Sequence, residues 1–475
     1  MKIVLADPPF GEIGNKNAVS FPNLGILYLI SFLRNKVKNL EIHYIKGFLS
    51  LADHLKEIEA IHPDIYGISF SSVYAALSYR TINAAKKIMP DVQIICGGAH
   101  PTIAFEEVFK NSSADICCLG EGEETFVELI KQYLSNKDFT SVLGIAYRDG
   151  KDIKKNQLRP LIENLDDIPF PAWDYVNFEE FQGCRKYRGT PSTAIIASRG
   201  CPFDCIFCSN PVWKLQKPWI RTRSPLNIAQ EVTFLYSLGI REISIQSDEM
   251  NPDYDWCENV FKALKELRLS DLYFQCNLRG KPVTHQLAEA LNQANCWLVY
   301  IGLESANNRV LDGMKKMLKL EDIIKAFKIL KKHKIKVFVF LMMYQVWEDK
   351  DKFYVETQKE INKSLLFLLN HWLRRQVHFT SCSITTPLPG SRLHNIAKKY
   401  SLIDRSSRLD HGLLFHEISM TLPNVPKYQI AISRAKGLLL QGLFFLTSRE
   451  PYRRKLLLEN FRYAIKKMIF IFRPY

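Results

Sequence analysis

The 475-residue sequence lacks any stretch of eighteen consecutive apolar residues, so it predicts no helix that crosses a membrane. We also expect no secretion signal, because the first apolar run is short and ends at Pro8 and Pro9. The eleven cysteines are an odd number at irregular spacing, which does not predict a disulfide framework. These features indicate a reducing compartment, and we expect the cytoplasm.

Acidic residues are the scarcer charged class, with 49 Asp and Glu against 64 Lys and Arg, and the formal net charge is +15. The basic residues are scattered along most of the chain and become dense only from Lys427 onward. Global basicity affects solubility and loose association with anions, so we expect no nucleic-acid partner.

Three closely spaced cysteines, Cys201, Cys205 and Cys208, have the spacing C-x3-C-x2-C. They follow the apolar run Thr193–Ala197 and a turn at Arg199-Gly200, which predicts a loop leaving a strand. Three thiolates can bind three irons of a [4Fe–4S] cluster and leave the fourth iron open to a ligand. The pattern therefore predicts a cluster that binds and reduces a substrate.

Two other interpretations of these cysteines are weaker. A structural zinc site needs four ligands, and only Cys184 lies near enough in sequence to complete one. Inert buried thiols are common in proteins, but packing alone explains three thiols in eight residues poorly.

The spacing, together with the aromatic Phe207 before the last thiol, resembles the motif of the radical SAM superfamily. The resemblance implies that the open iron binds S-adenosylmethionine (SAM). It also implies that an electron, supplied by a donor such as flavodoxin or ferredoxin, splits SAM to a 5′-deoxyadenosyl radical.

Short apolar runs alternate with amphipathic stretches through residues 1–145. This alternation predicts an α/β domain with a doubly wound, Rossmann-like parallel sheet, which binds ligands at the carboxyl ends of its strands. The predicted strands are Ile3–Ala6, Glu41–Ile45, Ile65–Phe70, Gln93–Cys96 and Ile116–Leu119.

Glycine and serine gather after the third, fourth and fifth of these strands. Glycine lets the backbone approach a large flat ligand, and serine hydroxyls can bond to its edge, although each loop alone also fits an ordinary turn. With Pro8-Pro9-Phe10 and Asn23-Leu-Gly-x-x-Tyr-Leu29, the loops resemble the cobalamin-binding domain of one large radical SAM class. The resemblance implies that cobalamin contacts Ser69, Ser71, Gly97, Gly98, His100, Pro101, Gly120, Glu121, Gly122 and Glu123.

The first loop departs from the cobalamin enzymes that bind cobalt through a protein imidazole. Those enzymes carry Asp-x-His-x-x-Gly, whereas this chain reads Asp7-Pro-Pro-Phe-Gly-Glu12. We therefore expect no histidine ligand to cobalt. His100 is an alternative, but a histidine beside proline at a strand end is more often a hydrogen-bonding loop residue.

The rest of the chain divides into three further regions. Residues 146–186 are predicted to be a linker, because Pro169 and Pro171 disfavour helix. Residues 187–412 are predicted to form a partial (β/α)6 radical SAM barrel, and residues 413–475 a helical C-terminal extension. The tail from Leu438 is also consistent with a membrane-surface helix, but packed helices over the barrel mouth are favoured.

The predicted barrel strands are Thr193–Ala197, Glu242–Gln246, Tyr273–Asn277, Leu298–Gly302, Val337–Met342 and Ser383–Thr386. By resemblance, SAM is bound by Phe207, Asp248, Glu249, Asn277, Arg279 and Glu304, which lie in the cysteine loop and at strand ends. The carboxylates suit the SAM amino group. The fifth strand departs from the usual Gly-x-Pro-Gly-Glu turn at Leu341–Asp349, so either larger residues stack on adenine or the pocket is reshaped.

The whole chain resembles the cobalamin-dependent radical SAM enzymes, a class that includes anaerobic magnesium-protoporphyrin monomethyl ester cyclase and many methyltransferases. The resemblance implies methylation of an unactivated carbon or phosphorus of a small molecule or natural product by methylcobalamin. Two alternatives stay open: a cyclase or oxidoreductase of the porphyrin-cyclase type, and a non-catalytic cobalamin or iron–sulfur carrier. No residue is predicted to act as a general base.

Overall fold

The computed structural model describes residues 1–13, 21–181, 188–209, 214–403 and 419–447. Cys184, which the zinc interpretation requires, lies outside the described residues, as does the chain beyond residue 447. Within the described ranges, no helix has both the length and the apolar character needed to span a bilayer.

The first sheet has seven strands in the order β2-β1-β3-β4-β5-β6-β7. Its strands are β1 (Lys2–Ala6), β2 (Glu41–Ile45), β3 (Ile65–Ser69), β4 (Gln93–Gly97), β5 (Ile116–Cys118), β6 (Ile145–Asp149) and β7 (Asp152–Lys155). The first five are parallel, which confirms the predicted doubly wound sheet. The hairpin β6–β7 begins the predicted linker, yet it continues this sheet because β6 pairs antiparallel with β5.

Four helices connect the five parallel strands in chain order, and a fifth leads from β5 to the antiparallel strand β6. They are α1 (Leu24–Lys36), α2 (Leu51–Ile61), α3 (Ala75–Ile88), α4 (Ala99–Asn111) and α5 (Glu123–Ser135). The Asn23 side-chain oxygen begins α1 by accepting a hydrogen bond from the Ile26 backbone amide, and the Asn23 side-chain amide donates to the Asp7 carboxylate at 2.8 Å. The Asn23-Leu-Gly stretch is therefore a helix start that is tied to the end of β1.

The segment after β7 is packed against both halves of the chain through three short 3-10 helices, Leu165–Asp167, Trp173–Tyr175 and Phe178–Phe181. The Trp173 indole donates to buried Glu231 at 3.2 Å, and Glu231 also pairs with Arg223 at 2.5 Å. On the other side, Asp174 pairs with Arg34 of α1 at 2.7 Å. This segment therefore holds the two halves together.

The strands of the second half follow in chain order. They are β8 (Ser192–Ile196), β9 (Ser198–Gly200), β10 (Ile220–Thr222), β11 (Glu242–Gln246), β12 (Tyr273–Leu278), β13 (Cys296–Glu304), β14 (Lys336–Met343), β15 (Val346–Asp349), β16 (Lys352–Val355) and β17 (Phe379–Ile384). Six of them form a parallel sheet in the order β17-β14-β13-β12-β11-β8. Because sequential strands are neighbours, this sheet is the predicted partial (β/α)6 barrel.

Helices cover the outside of the barrel. They are α6 (Pro225–Ser237), α7 (Tyr254–Glu266), α8 (His285–Gln293), α9 (Asn308–Gly313), α10 (Leu320–Lys332), α11 (Gln358–Leu373) and α12 (Arg392–Lys399). One continuous apolar core joins their inner faces to the outward residues of the strands, including Val337, Val339 and Leu341 of β14. The alternate residues of β14 therefore face the barrel lumen.

A final helix, α13 (Lys427–Thr447), packs against the edge strand β17 and against α11. Buried Phe444 stacks on Trp372 with ring centroids 5.2 Å apart. The Tyr344 hydroxyl lies 2.8 Å from that of Ser433. The described part of the C-terminal extension thus includes a helix packed on the edge of the barrel. Most of the tail from Leu438, for which packing over the barrel mouth is predicted, lies outside the described residues.

Candidate functional site

A cavity of about 460 Å³ lies where the carboxyl ends of the two parallel sheets meet. This position is the ligand-binding end of both folds. Nine of the residues predicted to bind cofactors line the cavity: Ser69, Gly97, Gly98, Gly120, Glu121, Gly122, Glu123, Asp248 and Asn277. The structure therefore brings residues predicted for two different cofactors to one cavity.

The glycines on the first-sheet side of the cavity keep its wall open. A Cβ atom built on Gly97 or Gly120 meets no heavy atom within 4 Å. Gly120 also has φ of +89°, a backbone conformation that side chains other than glycine strain to adopt. A flat wall of bare backbone fits a large planar group such as a corrin.

Three residues predicted to contact cobalamin lie away from the cavity: Ser71, His100 and Pro101. His100 is in the first turn of α4 and is 1% exposed. Its ring nitrogens lie 2.9 Å from the Ser72 hydroxyl and 2.6 Å from the Tyr79 hydroxyl. Burial lowers the pKa of His100 to about 4, so this imidazole is neutral and holds α4 to α3.

Glu121 and Glu123 line the cavity, but their carboxylates bind arginines of the β9–β10 hairpin. Arg199 donates to Glu121 at 2.8 Å and to Glu123 at 2.5 Å, and Arg221 donates to Glu121 at 2.7 Å. All four side chains are less than one-tenth exposed. Burial alone would raise the pKa of Glu121, but the two guanidiniums outweigh it and the pKa lies below its usual value. We refer to these four residues as the interface ion network.

The cysteine loop follows β9 directly and is anchored at its centre. The Ile206 amide donates to the Met314 carbonyl at 3.1 Å, and the Ile206 carbonyl accepts from the Leu393 amide at 2.8 Å. The Ile206 side chain packs with Val310, Met314 and Trp347. The path of the loop is therefore set by protein contacts on both sides of Ile206.

The donor set of this loop fits a cluster better than a single ion. Within the described ranges, no three His, Cys, Asp or Glu side chains converge closely enough to hold one metal ion. A [4Fe–4S] cluster instead binds each thiolate through a different iron. Burial raises the pKa of Cys205, while the charges of Lys316 and Arg279 act in the opposite direction and would favour its thiolate.

A largely buried charged group lies around Cys205. Glu249, Arg279 and Glu304 come from the ends of β11, β12 and β13, and Lys316 comes from the segment between α9 and α10. Lys316 Nζ lies 3.1 Å from Glu304 Oε1 and 5.8 Å from the Phe207 ring centroid. Arg279 stacks on Phe203 at 3.5 Å. These residues lie outside the wall of the main cavity, next to the cysteine loop.

Asp248 connects the cavity to the cysteine loop. Its carboxylate accepts a hydrogen bond from the amide of Gly200, the residue before Cys201, and burial raises its pKa. Beside it, Asn277 donates to the Ser247 carbonyl at 3.0 Å. The ends of β11 and β12 are thereby fixed relative to the loop that carries the thiols.

The departure after the fifth barrel strand is a β-hairpin made of β15 and β16. Trp347 stacks on Tyr354 at 5.7 Å and packs against Ile206 of the cysteine loop. Glu356 follows the hairpin and accepts a hydrogen bond from Ser305 at 2.8 Å. The sequence left two alternatives for Leu341–Asp349: larger residues that stack on adenine, or a reshaped pocket. The geometry favours a reshaped pocket, because Trp347 packs in an apolar cluster.

Several site residues were not predicted to bind a cofactor: Tyr28, Arg199 and Gln246 line the cavity, and Arg221 and Lys316 pair with residues that were predicted. Tyr28 lies within the Asn23–Leu29 motif, which was a usable signal. Arg199 and Arg221 pair with glutamates 76 to 100 positions away, so no local pattern marks them. Lys316 follows Lys315 and resembles an ordinary surface lysine.

Comparison with protein families gives two matches. Residues 195–357 match the family described as the radical SAM superfamily, and residues 13–130 match the B12 binding domain. The first match contains the cysteine loop and strand ends β11 to β14. The second contains every first-sheet loop that lines the cavity.

Related sequences include methyltransferases and cyclases. The chain is 29% identical over 429 residues to an uncharacterized methyltransferase of Pyrococcus horikoshii, covering 86% of this chain and 88% of that protein. It is 30% identical over 308 residues to cytidylyl-2-hydroxyethylphosphonate methyltransferase of Streptomyces wedmorensis, covering 58% and 57%. It is 28% identical over 239 residues to anaerobic magnesium-protoporphyrin IX monomethyl ester cyclase of Cereibacter sphaeroides, covering 49% and 38%.

Two solved structures share the fold over nearly the whole chain. The radical SAM methyltransferase TsrM from Kitasatospora setae, with tryptophan and a SAM analogue bound, has a TM-score of 0.72 at 14% identity, covering 98% of this chain and 99% of that one. The cobalamin-dependent SAM radical enzyme OxsB, with aqua-cobalamin and SAM bound, has a TM-score of 0.73 at 17% identity, covering 98% and 71%. The arrangement of the two sheets is therefore one that known proteins share.

Proposed function

We propose that this chain, in which a B12-binding domain and a radical SAM domain are joined in one polypeptide, is a methyltransferase that acts on a small molecule. One observation carries the proposal: the glycine wall of the first sheet and the strand ends beside the cysteine loop face the same cavity. In our proposal, residues 1–145 bind cobalamin and residues 187–412 hold the cluster and SAM. When bound, these groups supply reductive cleavage of SAM and a transferable methyl group.

The residues of the chain provide binding and orientation. Cys201, Cys205 and Cys208 would hold a [4Fe–4S] cluster. Asp248, Glu249 and Glu304 would accept hydrogen bonds from the SAM amino group and ribose, as expected for carboxylates beside an ammonium. Their position at the ends of parallel strands supports this assignment.

The wall of the first sheet would hold the corrin. Gly97, Gly98 and Gly120 offer backbone without side chains, and Ser69 adds a hydroxyl at the edge of the cavity. Glu121 and Glu123 serve this site indirectly, because their bonds to Arg199 fix the distance between the two sheets. We further propose a cytoplasmic location and an electron donor such as flavodoxin or ferredoxin.

Anaerobic reconstitution tests the proposal. Protein loaded with iron, sulfide and hydroxocobalamin is mixed with SAM and dithionite, and we expect 5′-deoxyadenosine to form. Cys205→Ala should abolish that product, whereas Cys257→Ala, at a buried thiol of α7, should leave it unchanged. A carrier without activity would release no 5′-deoxyadenosine from any variant.

The reaction type is tested separately in cells. A deletion strain should accumulate a metabolite about 14 daltons lighter than its counterpart in the parent strain, because H is replaced by CH3. The cyclase relatives favour a second candidate, ring formation or oxidation. That reaction predicts a pair of metabolites whose masses differ by oxygen or hydrogen atoms instead of CH2.

A further inference from the structure

The barrel lumen has an aromatic wall that the proposed cofactor sites do not use. Residues of β14 alternate, and Val337, Val339 and Leu341 belong to the outer core. Phe338 and Phe340 therefore face the lumen. Tyr300 of β13 is directly opposite Phe338 in the strand pairing.

These three rings form one surface, which we call the aromatic wall. The Tyr300 and Phe338 centroids are 5.1 Å apart, and those of Phe338 and Phe340 are 5.0 Å apart. The Tyr300 and Phe340 rings are stacked, with an interplanar angle of 21°. The interior of a barrel is normally filled by side chains. In the part of the chain that the structure describes, however, the Phe340 side chain is 41% exposed.

A chain of hydrogen bonds on neighbouring strands fixes the position of Tyr300 in the aromatic wall. The Tyr300 hydroxyl donates to the Gln275 amide oxygen at 2.6 Å, and the Gln275 amide donates to the buried carboxylate of Glu242. The Trp297 indole donates to the same carboxylate at 3.0 Å. A ring surface whose position is fixed before binding is what recognition of a flat ligand requires.

The aromatic wall continues from the main cavity toward the cysteine loop. Asn277, which lines the cavity, pairs in register with Tyr300. Gly302 pairs with Phe340, and the Glu304 carboxylate and the Lys316 ammonium fill the place that a side chain at Gly302 would take. A ligand on the wall would therefore lie between the cavity and the buried charged group around Cys205.

On the side of the main cavity, the polar side chains next to the wall are neutral amides, whereas the charged pair Glu304 and Lys316 borders the wall at Gly302. Asn277 is half-buried beside Tyr300, and Gln246, on the neighbouring strand, lines the same cavity. Amides satisfy hydroxyl, carbonyl or N–H groups and do not compensate a formal charge. This combination of rings and amides favours an uncharged ligand with a flat body.

We propose that the substrate presents a planar, uncharged aromatic ring to Tyr300 and Phe340, which buried Phe338 supports from behind, with a neutral hydrogen-bonding group near Asn277 or Gln246. That this ligand is the substrate depends on the proposed function. The binding site itself is inferred from the geometry of the lumen alone. Ring faces attract other rings through their quadrupoles, so flat aromatic bodies bind better than saturated ones of equal size.

Equilibrium dialysis of the reconstituted protein against 2-naphthol and its saturated counterpart decahydro-2-naphthol tests this site. We expect 2-naphthol to bind at least tenfold more tightly. Phe340→Ala should weaken 2-naphthol binding at least fivefold, and Phe340→Leu, which keeps an apolar side chain, should lose the preference for the aromatic probe. Phe234→Ala is the matched control, because Phe234 is 45% exposed on the outer helix α6.

Equal binding of the two probes, or unchanged binding by Phe340→Leu in protein that retains its cluster iron, would overturn the inference. The proposed function fails in a different way. If SAM is not cleaved but 2-naphthol still binds through Phe340, the methyltransferase assignment is wrong and the aromatic site stands. If SAM is cleaved and neither probe binds, the aromatic site is wrong.

Discussion

Arg199 donates to Glu121 at 2.8 Å across the boundary between the two sheets, two positions before the first cysteine of the loop. The chain that enters the cysteine loop is thus bonded to the loop that borders the glycine wall. Because both side chains are less than one-tenth exposed, solvent and salt screen this attraction only weakly. The ion pair fixes how far apart the two proposed cofactors would sit.

Removing Glu121 should destabilise the protein strongly. In Glu121→Ala, Arg199 keeps Glu123 but Arg221 loses its carboxylate partner, and an uncompensated buried charge costs about 3–5 kcal/mol. Denaturant unfolding measures the loss. Arg34→Ala is the control, because its partner Asp174, in the segment that connects the two halves, is 60% exposed, and the expected loss is about 1 kcal/mol or less. Equal losses in the two variants would contradict this account.

Filling the glycine wall should block cobalamin without harming the fold. A leucine at Gly97 meets no protein atom at its Cβ and extends into the cavity. We expect Gly97→Leu to reduce hydroxocobalamin affinity at least tenfold in equilibrium dialysis, with unchanged iron content. Gly442→Leu introduces the same side chain at an open position on α13 and should bind cobalamin normally. Normal binding by Gly97→Leu would place the corrin elsewhere.

Removing the Lys316 charge should weaken SAM binding, whereas removing the charge of its neighbour Lys315 should not. Burial alone would lower the pKa of Lys316, but Glu304 and the other anionic groups around it raise the pKa above its usual value, so the lysine is charged. Lys316→Met removes the partner of Glu304, and we expect SAM affinity to fall about tenfold or more, equivalent to 1.4 kcal/mol. Lys316→Arg should recover part of the affinity. Exposed Lys315→Met is the control, and a similar loss there would refute the role of Lys316.

Glu356 should make stability depend on pH in the neutral range. Burial raises the pKa of Glu356 from 4.5 to about 8. Between these values the folded chain keeps a proton that the unfolded chain has released. Protonated Glu356 therefore makes its full contribution to the free energy of unfolding below pH 4.5. As the pH rises from 4.5 to about 8, the free energy of unfolding falls by about 1.4 kcal/mol per pH unit.

Glu356→Gln should remove this slope, because the amide stays neutral at every pH. Unfolding free energies measured at pH 5, 6, 7 and 8 compare it with the wild type and with Glu266→Gln, a substitution at an exposed position of α7. Parallel curves for wild type and Glu356→Gln would show that Glu356 ionises normally.

The sequence was most informative where burial imposes a pattern. Strands of a parallel sheet are covered on both faces, so they appear in the sequence as short apolar runs. For this reason, the bounds of the strands predicted at Ile116–Leu119 and Glu242–Gln246 agree with the structure to within a residue or two. The cysteine spacing and the glycine loops were equally local. They predicted where a site lies in the chain, and the glycine loops line the cavity.

Contacts between distant segments were not readable in the same way. The Gly120–Glu123 motif placed its loop at the cavity correctly, yet nothing near it in sequence shows that the carboxylates turn toward Arg199 and Arg221. The hydrogen bonds of His100, which was predicted to contact cobalamin, were missed for the same reason, since its partners Ser72 and Tyr79 belong to another strand–helix unit. Likewise, Leu341–Asp349 predicted a departure from the family without revealing a hairpin.

The backbone bonds of Ile206 to Met314 and Leu393 belong to the polypeptide alone and need no inorganic ligand. We therefore expect a chain that has lost its iron to oxygen to keep the path of the loop that carries the three thiols. Repair would then require only the delivery of iron and sulfide, without refolding of a domain.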